Sequence, residues 1–381
     1  MASQQQRSAA WSRYWVLCCY SLMAALQGGT WSVPGLLFST YSDASGVYHL
    51  SGDTVNLLLN YGPMLFLLAA GPVFFSLDKS GIRPMTLLGS ALVLLSNAVR
   101  CLANDSSTAS IALLHASFIL NALAGPAAMA IPAKLAEDHF PPEERTRATA
   151  MAALSNQAGS IIIQAAVAAA WPAATVQDNF GLNAFLAALS LLSSLACALH
   201  FPSHPAAAPS ASAALARKAE ASMTAGVLLG SVRSLLRSRP YLVILAAYSA
   251  VLGLSTCTTA LLTQNIAALG GTQAASGWIG LAANLSSVLC GIAVSGLADG
   301  LKGRAPGAPR LLLVACMALS SLGAACYTLV LGAAQARAGS SSLLLFAVAF
   351  SVSQTAISAG VPLLFDLAAE FTFPTHQRAS S

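Results

Sequence analysis

Amides and aromatic rings stand in this chain where an apolar sequence has least use for them. Gln27 and Trp31 share one long apolar run, Asn156 and Gln157 interrupt another, and Tyr248 and Gln354 fall in two more. An unpaired buried amide costs a few kcal/mol, so each must meet a partner. That partner is a bound solute or a neighbouring helix. Trp31 belongs to the segment Gln27-Gly28-Gly29-Thr30-Trp31-Ser32-Val33-Pro34. Its two glycines and its proline are expected to weaken the helix and free carbonyls, which only a cavity or another helix can satisfy inside a membrane. A desolvated cation over an indole gains about 2 kcal/mol, and quaternary ammonium groups are its usual guests. Anchoring at the membrane interface is the other reading of Trp31. Tyr248 is the aromatic best placed to oppose it, with helix packing as the alternative. Gln264 accompanies Tyr248 as a comparable candidate, and Gln164 is a lesser member of the set. These groups bind rather than react. The sequence contains no HExxH, no GxSxG and no phosphate loop, so it predicts neither an enzyme nor a cofactor.

The charged residues point to gating. All 13 carboxylates fall in loops or at the ends of apolar runs. Asp78, Lys79 and Arg83, together with Glu137, Arg145 and Arg147, are expected to form ion pairs that close one mouth and break when it opens. Asp299 occupies the place of Asp78 in the second half. Asp366 and Glu370 lie four apart, hence on one helical face, and could reach Arg145 or Arg147. A solvated acidic exit is the plainer reading of that pair. His115 is the one ionisable group that falls well inside an apolar run. It is a possible proton site, because histidine titrates near neutral pH, although a hydrogen-bonded structural histidine is the commoner explanation of such a residue. With no carboxylate inside the apolar runs, facilitated movement of a solute is favoured over proton-driven uptake.

Helices must position these groups. Only 8% of the residues are charged and 56% are hydrophobic, with a mean hydropathy of +0.69; a soluble chain carries about 25% charged residues. Crossing a membrane takes about 20 apolar residues. Ten such runs are read near 14–41, 54–76, 84–103, 109–135, 148–171, 181–201, 241–266, 276–298, 310–332 and 342–366. The fold class is therefore an all-α, multi-pass integral membrane protein whose first partner is the lipid bilayer. With the N-terminus in the cytoplasm, only Arg100 and Arg337 of the 18 Lys and Arg fall outside, in keeping with the positive-inside bias. The net charge of +5 is thus an insertion signal, and nucleic acid is not an expected partner. The eight cysteines, scattered with no CxxC, read as small packing residues.

Residues 202–222 turn abruptly to Pro, Ala and Ser and read as a linker. Met223–Arg239 suits a helix lying at the membrane surface. The expected organisation is residues 1–201 as a six-helix half, 202–239 as linker and interfacial helix, and 240–381 as a second half with four helices. The halves repeat each other. Asp78-Lys79-Ser80-Gly81-Ile82-Arg83 follows the second run, and Asp299-Gly300-Leu301-Lys302-Gly303-Arg304 follows the eighth. Parallel repeats of six spans describe the major facilitator architecture, and by that symmetry two helices are missing from the second half.

The loop from Asp78 to Arg83 resembles the D-[RK]-x-G-x-[RK] loop of major facilitators. Further segments resemble solute carrier family 49, which holds the feline leukaemia virus subgroup C receptor-related and disrupted-in-renal-carcinoma proteins. These are Trp15 with Gln27-Gly28 and Trp31, Leu120 to Pro126, Pro132 to Ala136, Ser155 to Gly159, and Asp366 to Pro374. The resemblance implies a carrier of a small organic solute related to choline, ethanolamine, pyridoxine or haem. It also implies that Gln157 contacts the solute, that Asp78 faces an eleventh helix, and that the inner charges act as a latch. A tyrosine expected in the seventh run is replaced by Ser255-Thr256-Cys257, which weakens a two-aromatic cage. A non-transporting receptor, a pseudotransporter or a fragment of a carrier would read alike.

Overall fold

The structure, a computed structural model, describes residues 2–42, 46–170, 175–205, 224–302, 305, 307–334 and 340–379. Every regular element among them is an α-helix. The chain divides into two compact units, residues 1–225 and 226–381. The linker expected over 202–222 falls mostly on residues 206–223, outside the described residues.

The first unit contains α1 (Ala2–Leu36), α2 (Phe38–Ser42), α3 (Gly52–Ser80), α4 (Ile82–Arg100), α5 (Thr108–His139), α6 (Pro142–Ala170) and α7 (Val176–Leu199). Short polar residues start these helices by accepting a hydrogen bond from a free backbone N–H. Ser51 caps α3 through Thr54, Ser107 caps α5 through Ser110, and Thr175 caps α7 through Asp178. Just ahead of α5, the Ser107 hydroxyl donates to Asp105 at 2.5 Å. That bond, with lesser help from Ser110 and the Ser107 backbone, holds the Asp105 carboxyl below its ordinary range. Gly81 ends α3 at φ +78°, a conformation in which a side chain would be strained, and its N–H returns to the Leu77 carbonyl at 3.0 Å.

The second unit contains α8 (Ala225–Leu235), α9 (Arg239–Ala260), α10 (Leu262–Ala268), α11 (Gln273–Lys302), α12 (Ala308–Ala334) and α13 (Ser340–Ala379). The seventh run is thus two helices that break at Leu261. Tyr327 of α12 with Phe346 and Phe350 of α13 forms the aromatic core of the second unit, with centroids 5.9 to 6.2 Å apart.

Nine helices are long and apolar enough to cross a membrane among the described residues. The ten expected runs include α1, which is not one of the nine; the polar stretch from Gln27 to Ser32 dilutes its apolar length. Outward faces are greasy, with Leu67 and Leu68 of α3 and Leu329 of α12 each more than 70% exposed. Such surface is stable against lipid chains and not against water. The protein is an integral, multi-pass membrane protein.

Two apolar clusters fill the first unit. One gathers Tyr20, Met23, Leu77, Ile131, Phe140 and Phe201. The other gathers Leu26, Val33, Tyr48, Leu58, Phe118 and Leu186. Along α1 they meet between Ala24 and Leu26, and the polar residues that follow Leu26 open the candidate site.

Candidate functional site

Gln27 lies at the centre of a ring of amides joining three helices. Its Nε2 donates to the Asn121 carbonyl of α5 at 3.3 Å, and Asn121 Nδ2 returns a bond to the Gln27 carbonyl at 3.2 Å. Asn156 of α6 donates to Gln27 Oε1 at 2.7 Å and to the Ala24 carbonyl at 2.9 Å. Ser160, one turn further on, donates to the Gly28 carbonyl at 2.9 Å. Gln27 and Asn121 are buried. One group is left over: the Asn121 Oδ1 has no hydrogen-bond donor.

The glycines of α1 do not break the helix, which runs unbroken from Ala2 to Leu36 with Pro34 inside it. They admit α6. A Cβ on Gly28 would collide with the Asn156 carbonyl, one on Gly159 would collide with the Ala25 carbonyl, and one on Gly29 would lie 2.8 Å from Ile163 Cγ1. Small residues bring membrane helices into backbone contact in this way. Within the expected segment, side chains meet the carbonyls of Gln27 (from Asn121), Gly28 (from Ser160) and Gly29 (from Ser32 at 2.8 Å).

Trp31 donates its indole N–H to the Leu59 carbonyl of α3 at 3.1 Å and packs on Gly62, where a Cβ would lie 2.7 Å from Nε1. Its ring is half-buried. Gln157 is half-buried on α6, next to Asn156 and so on an adjoining face. His115 meets the Tyr61 hydroxyl through Nδ1 at 3.0 Å, with the rings edge to face. In the second unit, Gln354 ties α13 to α9. Its Oε1 accepts from Ser255 at 2.6 Å, and its Nε2 donates to the Ser255 carbonyl and to Thr258. Tyr248 is half-buried seven residues before Ser255, hence on the same side of α9.

The charged groups of the first unit are placed as follows. Among the described residues the ion pair is Arg13–Glu144 at 3.1 Å, and Tyr14 also donates to Glu144. Arg13 lies over the rings of Tyr14 and Phe140. Arg145 caps the end of α5, donating to the carbonyls of Phe140 at 3.2 Å and Glu137 at 3.3 Å. Lys79 sits over Phe75 at 5.8 Å, Asp78 and Glu137 are half-exposed, and Arg83 and Arg147 are exposed. The side chains of Asp299, Asp366 and Glu370 lie outside the described ones.

Sequence reasoning missed Asn121, Ser160, Arg13 and Glu144 as site residues. Asn121 gave a usable signal, a lone amide in the apolar run of α5; the others gave none. A cavity of about 710 Å³ in the second unit is lined by Trp278, Cys290, Cys316, Ser351 and Thr355 among others. Its wall is apolar and does not include Gln354, so the amide ring is the stronger candidate for recognising a polar solute.

The family model of the Major Facilitator Superfamily matches residues 19–381. Over 316 residues the chain is 28% identical to "Solute carrier family 49 member 4 homolog" of Xenopus tropicalis, covering 76% of this chain and 64% of that one. It is 27% identical to "Solute carrier family 49 member A3" of Danio rerio, covering 85% and 66%. It is 28% identical to "Choline/ethanolamine transporter FLVCR1" of Felis catus, covering 73% and 50%. The chain thus spans between half and two thirds of the length of these relatives. Among solved structures, a bacterial homologue of the human lysosomal transporter Spinster gives a TM-score of 0.61 at 13% identity, covering 95% of this chain and 79% of that one. The xylose transporter XylE of E. coli gives 0.60 at 14%, covering 94% and 84%.

Proposed function

The chain belongs to the Major Facilitator Superfamily, and from that premise we propose that it carries a small amino alcohol of the choline/ethanolamine class across a bilayer. The observation that carries this reading is the amide ring of Gln27, Asn121 and Asn156, with its unfilled acceptor on Asn121. A carbonyl-type oxygen without a donor accepts a hydrogen bond from a solute hydroxyl or ammonium. The surrounding wall is neutral, so a solute with one charge is held without a fixed counter-ion to trap it. Trp31 offers a half-buried indole face on the same helix, one turn on, for the cationic end. The cat relative, named as a choline/ethanolamine transporter, supports the solute class.

Transport proceeds by exposing the site alternately to either side of the membrane. No gradient of a second ion is needed, since the ring contains no group that titrates. His115, hydrogen-bonded to Tyr61, is the residue through which a proton would act if one were coupled.

The test is uptake of labelled choline and ethanolamine into proteoliposomes, with and without an imposed proton gradient. Saturable uptake that survives collapse of the gradient and falls at least tenfold in Gln27→Ala, with protein content matched, is expected. Absence of saturable uptake of either solute refutes the reading.

A further inference from the structure

Arg100, the last residue of α4, is completely buried. Its Nη2 donates to Asn97 Oδ1 at 2.7 Å, and its guanidinium lies 5.3 Å from the Phe118 ring centroid. Its Nε and Nη1 have no hydrogen-bond partner, and no carboxylate pairs with it among the described residues. A buried lone cation is the most costly group a membrane protein can hold, and such residues mark sites.

The surroundings are polar and likewise incomplete. Tyr41 and Tyr48 lie near enough to feel the charge of Arg100, and their rings meet edge to face at 4.9 Å. The Tyr41 hydroxyl is buried without a partner. Tyr48 donates to the Ala103 carbonyl at 2.6 Å and accepts from Asn179 of α7 at 2.9 Å. Further along α7, Ser190 accepts from Asn97 at 2.9 Å. Asn183 lies between those two fixed points, one turn beyond Asn179, on the same buried face. It is fully buried, and neither atom of its amide has a partner.

We propose that Arg100, Tyr41 and Asn183 bind a small monovalent anion of the chloride class between α2, α4 and α7. Two guanidinium nitrogens, a phenol and a side-chain amide are unspent donors in one buried place, and their summed charge is +1. A single monovalent anion neutralises that charge and accepts from each donor. Water alone would fill the donors and leave the charge, whereas a divalent oxyanion would exceed it. The remaining acceptors, Asn179 Oδ1 and Asn183 Oδ1, are met by water accompanying the ion. Burial pushes the Tyr48 phenol up from its ordinary range and outweighs the bond from Asn179, so Tyr48 stays a neutral wall of the site.

The experiment is thermal unfolding of the purified full chain in lipid nanodiscs, with chloride replacing gluconate at constant ionic strength. An anion that binds only the folded state raises the unfolding temperature with its concentration. The temperature is expected to rise and saturate with chloride and with bromide, but not with sulfate. Tyr41→Phe and Asn183→Leu each remove one donor to a charged group, so the concentration for half the effect rises about tenfold. Arg100→Gln abolishes the response; should it fail to fold, the wild-type titration and the two milder variants still decide. Equal unfolding temperatures in chloride and gluconate overturn the proposal in favour of water alone. A chloride response unchanged in Tyr41→Phe and Asn183→Leu overturns it too, by placing the anion elsewhere.

Discussion

Replacing Gly159 by alanine adds one methyl group where, among the described glycines, an added Cβ has the least room. That methyl would collide with the Ala25 carbonyl, a backbone atom of α1 that no side-chain rotation can move aside. Helix α6 must retreat, which lengthens the two bonds from Asn156 to α1 and the bond from Ser160 to Gly28. Overpacking costs about 1–3 kcal/mol. Three interhelical side-chain bonds at about 0.6 kcal/mol each add roughly 2 kcal/mol. Alanine recovers up to about 1 kcal/mol of helix propensity. The net loss is about 2–4 kcal/mol, which lowers the apparent Tm of a unit this size by roughly 5–15 °C. Gly71→Ala in α3 is the control, because nothing lies within 4 Å of its added Cβ. Both variants would be followed by dye-based thermal unfolding at matched protein and lipid. If Gly159→Ala unfolds within about 2 °C of Gly71→Ala, close glycine packing is not what holds the amide ring together.

Other perturbations separate local roles. Arg13→Ala removes a half-exposed ion pair, for which about 0.5 kcal/mol is expected; its Tm should shift little, while a gating role would show as a changed maximal uptake rate. Arg145→Ala strips two donors from the last carbonyls of α5 and should cost about 1 kcal/mol by the same unfolding assay. Asn104 begins an Asn-Asp-Ser sequon, yet its amide donates to the Cys101 carbonyl at 2.6 Å; glycosidase treatment should leave gel mobility unchanged. Gln354→Leu frees α13 from Ser255 and Thr258, and should raise protease sensitivity near the α9–α10 break more than an equal change at the exposed Val352.

The helical, membrane-embedded character was legible because composition alone forces it: a chain so poor in charge can hide its backbone from lipid only inside helices. Gln27 and Asn156 stood out as amides among Ala, Val and Ile, and the structure brings them within 2.7 Å of each other. Asn121 carried the same signal but was read only as part of a resemblance. What periodicity could not supply was the direction of close approach. Gly28 and Gly29 look alike as helix weakeners and as helix contacts until α6 is seen against them. Charge pattern is silent in a related way, since an arginine such as Arg145 can be spent on carbonyls as well as on a carboxylate. Arg100 read as a loop charge because it ends an apolar run, and nothing local to it foretold that Tyr41, Tyr48 and α7 would enclose it.

The glycine contact between α1 and α6 also has a mechanical meaning. Two helix backbones that touch carbonyl to glycine fit at one register, since a side chain in place of Gly28 or Gly159 would collide with the opposite backbone. The pair therefore moves as one strut. Compliance within the first unit must come from the other side of α1, where α3 is held by apolar side chains and by the Trp31 indole bond beside Gly62 rather than by interlocked backbones. A spin label on each of α1 and α6 would keep a constant separation through the transport cycle, while one on α3 would not.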